Sequence, residues 1–184
     1  MSAAKSGKLP PSQSVAAAEA VDDIVRTSAG GWEKHGLPHA ELMTAVTTVL
    51  RAQQVLMSTI TRQLQTLNLT FGRYEALVLI ELSPEQRLPI AKTSERLMLR
   101  PSSATGTIDW LETQGLVERV QHPHDRRVTE VAITPKGSDL AIQAMRLMAD
   151  IRFGLPDHVD EERAKKITDA LLPLRQEAAR IQRP

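Results

Sequence analysis

Residues 101–137 constrain this chain more than any other stretch, because they compress a helix, a two-stranded hairpin and the start of a second helix into one short run. The segment Pro101-Ser-Ser-Ala-Thr-Gly-Thr-Ile-Asp-Trp-Leu-Glu-Thr-Gln114 reads as a helix with small hydroxylated residues at its front and Ile108 and Leu111 behind. Gly115 closes it, since glycine tolerates the left-handed conformation that ends helices. Leu116-Val-Glu-Arg-Val-Gln121 then reads as a strand, His122-Pro-His-Asp-Arg-Arg127 as its charged tip and Val128-Thr-Glu-Val-Ala-Ile133 as the return strand. Thr134-Pro135 supplies a cap and a first helical turn.

The rest of the chain reads as helical. Residues 1–13 are rich in Ser, Lys and Pro and are expected to be a disordered tail. Residues 14–35 carry a short helical pattern (Val15, Ala18, Val21, Ile24, Val25), expected to break at Gly30-Gly31. A long amphipathic helix fits residues 39–67, with apolar positions Leu42, Val46, Val49, Leu50, Leu56, Ile60, Leu64 and Leu67 at helical spacing. Thr70 can cap a helix over 71–82 with Leu77, Val78 and Ile80 inward, and Ser83-Pro84 ends it. Leu88-Pro-Ile90 fits a short edge strand, because proline cannot donate to an inner ladder. Residues 91–97 make a short helix, and Arg100-Pro101 the turn into the next. After the hairpin come a helix over 136–153 and a last one over 160–182, expected to be interrupted at Pro173. The fold class is therefore mainly α with a small β-hairpin: a winged helix-turn-helix lobe over 69–134, helices at 14–68 and 135–184, and the tail.

Composition excludes several classes. With 184 residues, 41% apolar but only 3% aromatic, the interior must be built from aliphatic side chains and Met. No cysteine is present, which removes disulfide frameworks and thiolate metal sites. A net charge of +1 is too small to argue a polyanionic partner by composition, so any basic footprint must come from placement. No apolar run approaches the roughly 20 residues that span a bilayer, and the amino terminus lacks the apolar core of a secretory signal. A cytoplasmic protein with no membrane partner is expected.

In a helix-turn-helix the second helix enters the major groove by its amino-terminal half while the first crosses the backbone. That geometry would present Ser102, Ser103, Thr105 and Thr107 to bases or phosphates, and place Lys92, Thr93, Arg96 and Arg100 along the phosphate backbone. His124 sits at the hairpin tip as a further phosphate contact. Asp125, two positions before Arg127, is placed to fix the arginine fork before DNA arrives.

The order of helices, Gly115-Leu-Val-Glu-Arg119, the tip Asp125-Arg-Arg127 and the exit Ile133-Thr-Pro-Lys-Gly137 together resemble the MarR family of bacterial transcriptional regulators. The likeness covers about residues 42–149 and is most specific from Ser94 to Gly137. Ala45-Val-Thr-Thr-Val-Leu-Arg-Ala-Gln-Gln54 and Leu69-Thr-Phe-Gly-Arg-Tyr-Glu75 look like an actinobacterial-type subgroup. The resemblance implies a homodimer formed by the terminal helices, a palindromic double-stranded DNA operator, and usually repression relieved by a small molecule. It assigns Arg127, with Arg126 beside it, to the minor groove. It also implies an effector pocket, for which Trp32, His39, Arg51, Gln54, Arg73 and Tyr74 offer aromatic surface and cations suited to a phenolic or other aromatic acid. Arg51 and Arg73 also read as exposed ion-pairing residues.

The sequence departs from that family in places. Gly106 and Trp110 stand where many members carry arginines, and glycine costs about 1 kcal/mol against alanine in a helix interior. Direct base readout is therefore expected to be modest, with the wing and DNA shape carrying more specificity. Thr93-Ser94 replaces a more usual Leu-Ala. His122 with His124 has no cysteine or spaced carboxylate to complete a metal site, His35 and His39 flank a helix start where a metal or ligand site is the minor reading, and Met43, Met57, Met145 and Met148 fit a core better than a cofactor box. No metal and no cofactor are expected. Without a Gly-x-Ser-x-Gly elbow or a phosphate-cradling glycine loop, an enzyme is not expected either. A winged-helix module that binds protein rather than DNA is the alternative that near-neutral charge keeps open.

Overall fold

Hydroxyl caps and prolines decide where the helices begin. Thr70 accepts a hydrogen bond from the Arg73 backbone N–H at 3.3 Å, and Thr134 accepts one from Gly137 at 3.1 Å. Each such cap satisfies a backbone donor that the first helical turn leaves free, a contribution of about 1 kcal/mol. In the computed structural model, residues 27–28, 30–98, 100–125 and 127–181 are described, except the side chains of residues 101 and 178–181. The expected tail, most of the 14–35 pattern and Arg126 lie outside the described residues.

The elements run α1 (Ala40–Gln65), α2 (Phe71–Glu81), β1 (Arg87–Pro89), α3 (Ile90–Arg96), α4 (Pro101–Thr113), β2 (Val117–Gln121), β3 (Thr129–Ile133), α5 (Pro135–Asp150) and α6 (Glu161–Ile181). Single 3-10 turns lie at Pro84–Gln86 and Arg152–Gly154. The three strands form an antiparallel sheet in the order β1-β3-β2, with Leu88 and Arg119 both opposite Val131. The hairpin is thus widened by β1, one residue earlier than the sequence placed it. Pro89 ends an edge strand and Ile90 already opens α3.

The chain divides into two compact units at Val55, inside α1. Beyond that point α1 belongs to the second unit, since Ile60 and Leu64 are buried there with Leu69, Tyr74, Ala144 and Met148. A neighbouring cluster joins Ala76, Leu77 and Ile80 of α2 to Ile108 and Leu111 of α4, Val117, Val131 and Ala141. Trp110 and Leu140 touch both clusters. Burying each large aliphatic side chain contributes about 1.5–3 kcal/mol, so these clusters are what hold α4 against the sheet. In the first unit the apolar stripe is bare instead: Leu42, Val46 and Leu50 are 64%, 56% and 56% exposed.

Two expected breaks are absent. Residues 27–28 and 30–34 are helical, so Gly30-Gly31 lies within helical turns. α6 also runs on through Pro173. Proline removes one backbone donor there, but the surrounding turn faces solvent and water can serve the freed carbonyl. No helix among the described residues is long and apolar enough to cross a membrane.

Candidate nucleic-acid interface

α3 and α4 form the helix pair that the sequence pointed to. Lys92, Arg96 and Arg100 are all exposed, on α3 and at the amino-terminal cap of α4. Thr93 departs from the expectation that placed it with them. It is fully buried, and its hydroxyl donates to the Pro89 carbonyl at 3.4 Å, so it packs the helix pair instead of facing outward. On α4, Ser102, Ser103, Thr105 and Gly106 are exposed, while Ala104, Ile108 and Leu111 are buried. Thr107 is half-buried and its hydroxyl donates back to the Ser103 carbonyl at 3.0 Å. The outer face of α4 is thus narrow and short-chained. A Cβ added at Gly106 would meet no atom within 4 Å.

The hairpin tip is organised by its own backbone. Asp125 Oδ1 accepts the Arg127 backbone N–H at 3.0 Å, and the Asp125 carbonyl accepts the Val128 N–H at 3.0 Å. Asp125 therefore fixes the turn rather than the guanidinium, the reverse of what its spacing suggested. An aspartate closing a turn on an N–H two residues ahead is the ordinary Asx geometry. The His124 N–H donates to His122 Nδ1 at 3.3 Å, and the two imidazoles meet edge-on at 6.1 Å. His124, Asp125 and Arg127 are exposed.

The root of the hairpin locks it to α4. Gly115, at φ +67°, ends α4, with its N–H donating to the Glu112 carbonyl and the Leu116 N–H to the Leu111 carbonyl. Thr134 donates its hydroxyl to the Gly115 carbonyl at 2.8 Å, and Lys136 Nζ donates to the Gln114 carbonyl at 2.7 Å. A lysine there also complements the negative end of the α4 dipole. A Cβ on Gly137 would overlap the Leu116 carbonyl oxygen, so only glycine lets α5 approach this closely.

Arg119 of β2 makes a second tie, and motif reading passed over it as part of Gly-Leu-Val-Glu-Arg. Its guanidinium pairs with Asp109 and Glu112 of α4, and its backbone N–H donates to the other Glu112 oxygen at 3.3 Å. The hydrogen bond to Asp109 leads in raising the Arg119 pKa above its ordinary value. The signal was present in two acids three residues apart on α4, followed by a cation across the turn. Lys136 was missed too, because its partner is a backbone carbonyl.

The expected pocket residues fall into separate settings. In the first unit, Trp32 and His39 line one groove of about 500 Å³ with Leu37, Pro38, Leu42, Met43, Val46 and Thr47. Trp32 Nε1 donates to the Pro38 carbonyl at 2.8 Å, which shapes that groove. Arg51 donates to Gln54 Oε1 at 3.0 Å, one turn along α1. In the second unit, the Arg73 guanidinium lies over the Trp110 ring at 3.7 Å, a cation–π contact between α2 and α4. Tyr74 is buried beside Phe71, and burial leads in pushing its hydroxyl pKa up, with the charge of Glu75 adding to it.

Residues 70–129 match the model of the MarR family. The chain is 31% identical over 111 residues to the organic hydroperoxide resistance transcriptional regulator of Bacillus subtilis, covering 60% of this chain and 73% of that one. It spans 54% and 39% of two other B. subtilis regulators that it matches. Among solved structures it is similar to Sco5413, a MarR family transcriptional regulator from Streptomyces coelicolor, at 38% identity and a TM-score of 0.68, covering 76% of this chain and 96% of that chain. It shares its fold with Sco3205 from the same organism, solved in complex with DNA, at 22% identity and a TM-score of 0.68, covering 76% and 88% of the two chains. With a short helix bearing exposed hydroxyls, an arginine-tipped hairpin and relatives of this identity and coverage, the chain belongs to the MarR family of transcriptional regulators.

Proposed function

We propose that this protein is a sequence-specific DNA-binding regulator that grips an inverted-repeat operator as a homodimer, usually to repress. One observation carries the reading: exposed Ser102, Ser103 and Thr105 on α4 lie in the same fold as exposed Lys92, Arg96 and Arg100, beside a hairpin whose turn Asp125 holds with Arg127 exposed. α4 would enter the major groove, the cations would take phosphates, and Arg127 would reach into the adjoining minor groove. Arg126, outside the described residues, is proposed for the same groove. The dimer is argued from apolar side chains that stay exposed among the described residues: Leu42, Val46 and Leu50 on α1 in the first unit, and Ile167, Leu172 and Leu174 on α6 in the second. Two-fold closure would set the two α4 helices about 34–36 Å apart, one turn of the duplex.

An effector, proposed to be an aromatic acid, would act by binding one arrangement of the two α4 helices better than the other. Its proposed contacts are taken unit by unit: the groove at Trp32 and His39, with Arg51 and Gln54, in the first, and the Arg73–Trp110 stack with buried Tyr74 in the second. The deciding experiment is a salt titration of binding to duplexes selected from a random pool. Affinity should fall steeply with salt as phosphates are neutralised. Arg127→Ala should weaken binding about tenfold and flatten the slope by about one counterion. A protein that selects no duplex, or an Arg127→Ala variant indistinguishable from its parent, overturns the reading. Capture of a protein partner by α4 in place of DNA would favour the interaction-module alternative.

A further inference from the structure

α4 carries two carboxylates, Asp109 and Glu112, and neither lysine nor arginine. Asp109 belongs to the exposed stripe Ser102, Thr105, Gly106, Asp109 and Thr113, the face proposed above to lie along DNA. A carboxylate on such a face repels phosphates, and at 0.1 M salt the repulsion reaches about 10 Å before it is screened. The helix has no positive side chain of its own to offset it.

Arg119 supplies the missing charge from another element. Standing on β2, it places one guanidinium nitrogen on Asp109 and another on Glu112, while its backbone N–H occupies the remaining Glu112 oxygen. A planar guanidinium with several donors can hold two carboxylates at once, which an ammonium does poorly. The same contacts span α4 and β2, so the charge that masks the helix also ties it to the hairpin.

We infer that Arg119 is a charge-masking and positioning residue of the DNA interface: it offsets half of the negative charge of the Asp109–Glu112 pair so that a helix without cations can approach phosphates. The inference rests on the DNA-binding reading above. It assigns Arg119 no contact with DNA; its effect passes through Asp109 and Glu112.

The two ideas are separable in one experiment on the full-length chain, with duplexes selected from a random pool by the parent protein. Arg119→Gln should bind about tenfold more weakly at about 50 mM salt and about twofold more weakly at about 300 mM, because screening removes the repulsion. Asp109→Asn with Glu112→Gln keeps hydrogen-bonding atoms in place without the negative charges. That double variant should bind at least as tightly as the parent, and adding it to Arg119→Gln should restore affinity. If the double variant loses as much as Arg119→Gln, the cluster is only a mechanical brace and charge masking is wrong. If Arg119→Gln binds like the parent, the assignment falls outright. A variant with Arg119→Gln that does not fold leaves the double variant to decide. A parent that enriches no duplex defeats the DNA-binding reading itself, a different failure.

Discussion

The two halves of the proposed interface, α4 and the hairpin, are built in opposite ways. α4 offers hydroxyls and a bare Gly106, has no cation, and is held by burial of Ala104, Ile108 and Leu111. The hairpin offers Arg127 at a tip with no core of its own, held by the hydrogen bonds of Asp125 and His122. Packing gives α4 a fixed surface with little charge, whereas hydrogen bonding gives the tip charge on a turn that solvent surrounds. A division of labour follows: α4 would supply fit to the groove, and the tip and the α3 cations most of the electrostatic grip.

The comparison is open to attack at the joint that both halves share. Gly137→Ala places a methyl group against the Leu116 carbonyl, where backbone must move. Overpacking of this kind costs about 1–3 kcal/mol or more, and thermal unfolding should show a clear drop. An unchanged melting temperature would mean that the root does not set the hairpin's position.

A smaller effect is expected at the tip. Asp125→Ala removes the acceptor of the Arg127 N–H and should weaken DNA binding about threefold, the cost of a loosened turn worth about 0.5–1.5 kcal/mol. The salt slope should stay as in the parent, because no phosphate contact is lost. A slope as flat as that of Arg127→Ala would show instead that Asp125 governs the arginine's charge contact directly.

The smallest effect is expected on α4. Gly106→Ala meets no neighbour and restores helix propensity, so the fold should gain about 0.5–1 kcal/mol by denaturant titration. Should DNA binding tighten or stay equal, glycine there is merely tolerated. A marked loss of affinity in the better-folded variant would identify Gly106 as a point of close approach, and would shift specificity from the hairpin towards α4.

Much of this was legible in the sequence because it is local. Thr70 and Thr134 cap, Gly115 closes α4, and the strands fall within a residue of their expected limits, all through groups a few positions apart. The errors share a cause. Thr93 looked like a phosphate contact because it neighbours Lys92, but helical rotation turns it into the core. Asp125 looked like a partner for a guanidinium and serves a backbone N–H. Gly30-Gly31 and Pro173 looked like breaks because propensity was read without the helix around them.

α1 shows the limit most plainly. One helical period runs through Leu42, Val46, Leu50, Ile60 and Leu64, and nothing in it foretells that the last two are buried while the first three are bare. Spacing along a chain dictates which side chains share a face, for that follows from backbone geometry alone. What covers a face, which acids Arg119 reaches and where Trp110 meets Arg73 depend on segments brought near from elsewhere, and only the folded chain decides them.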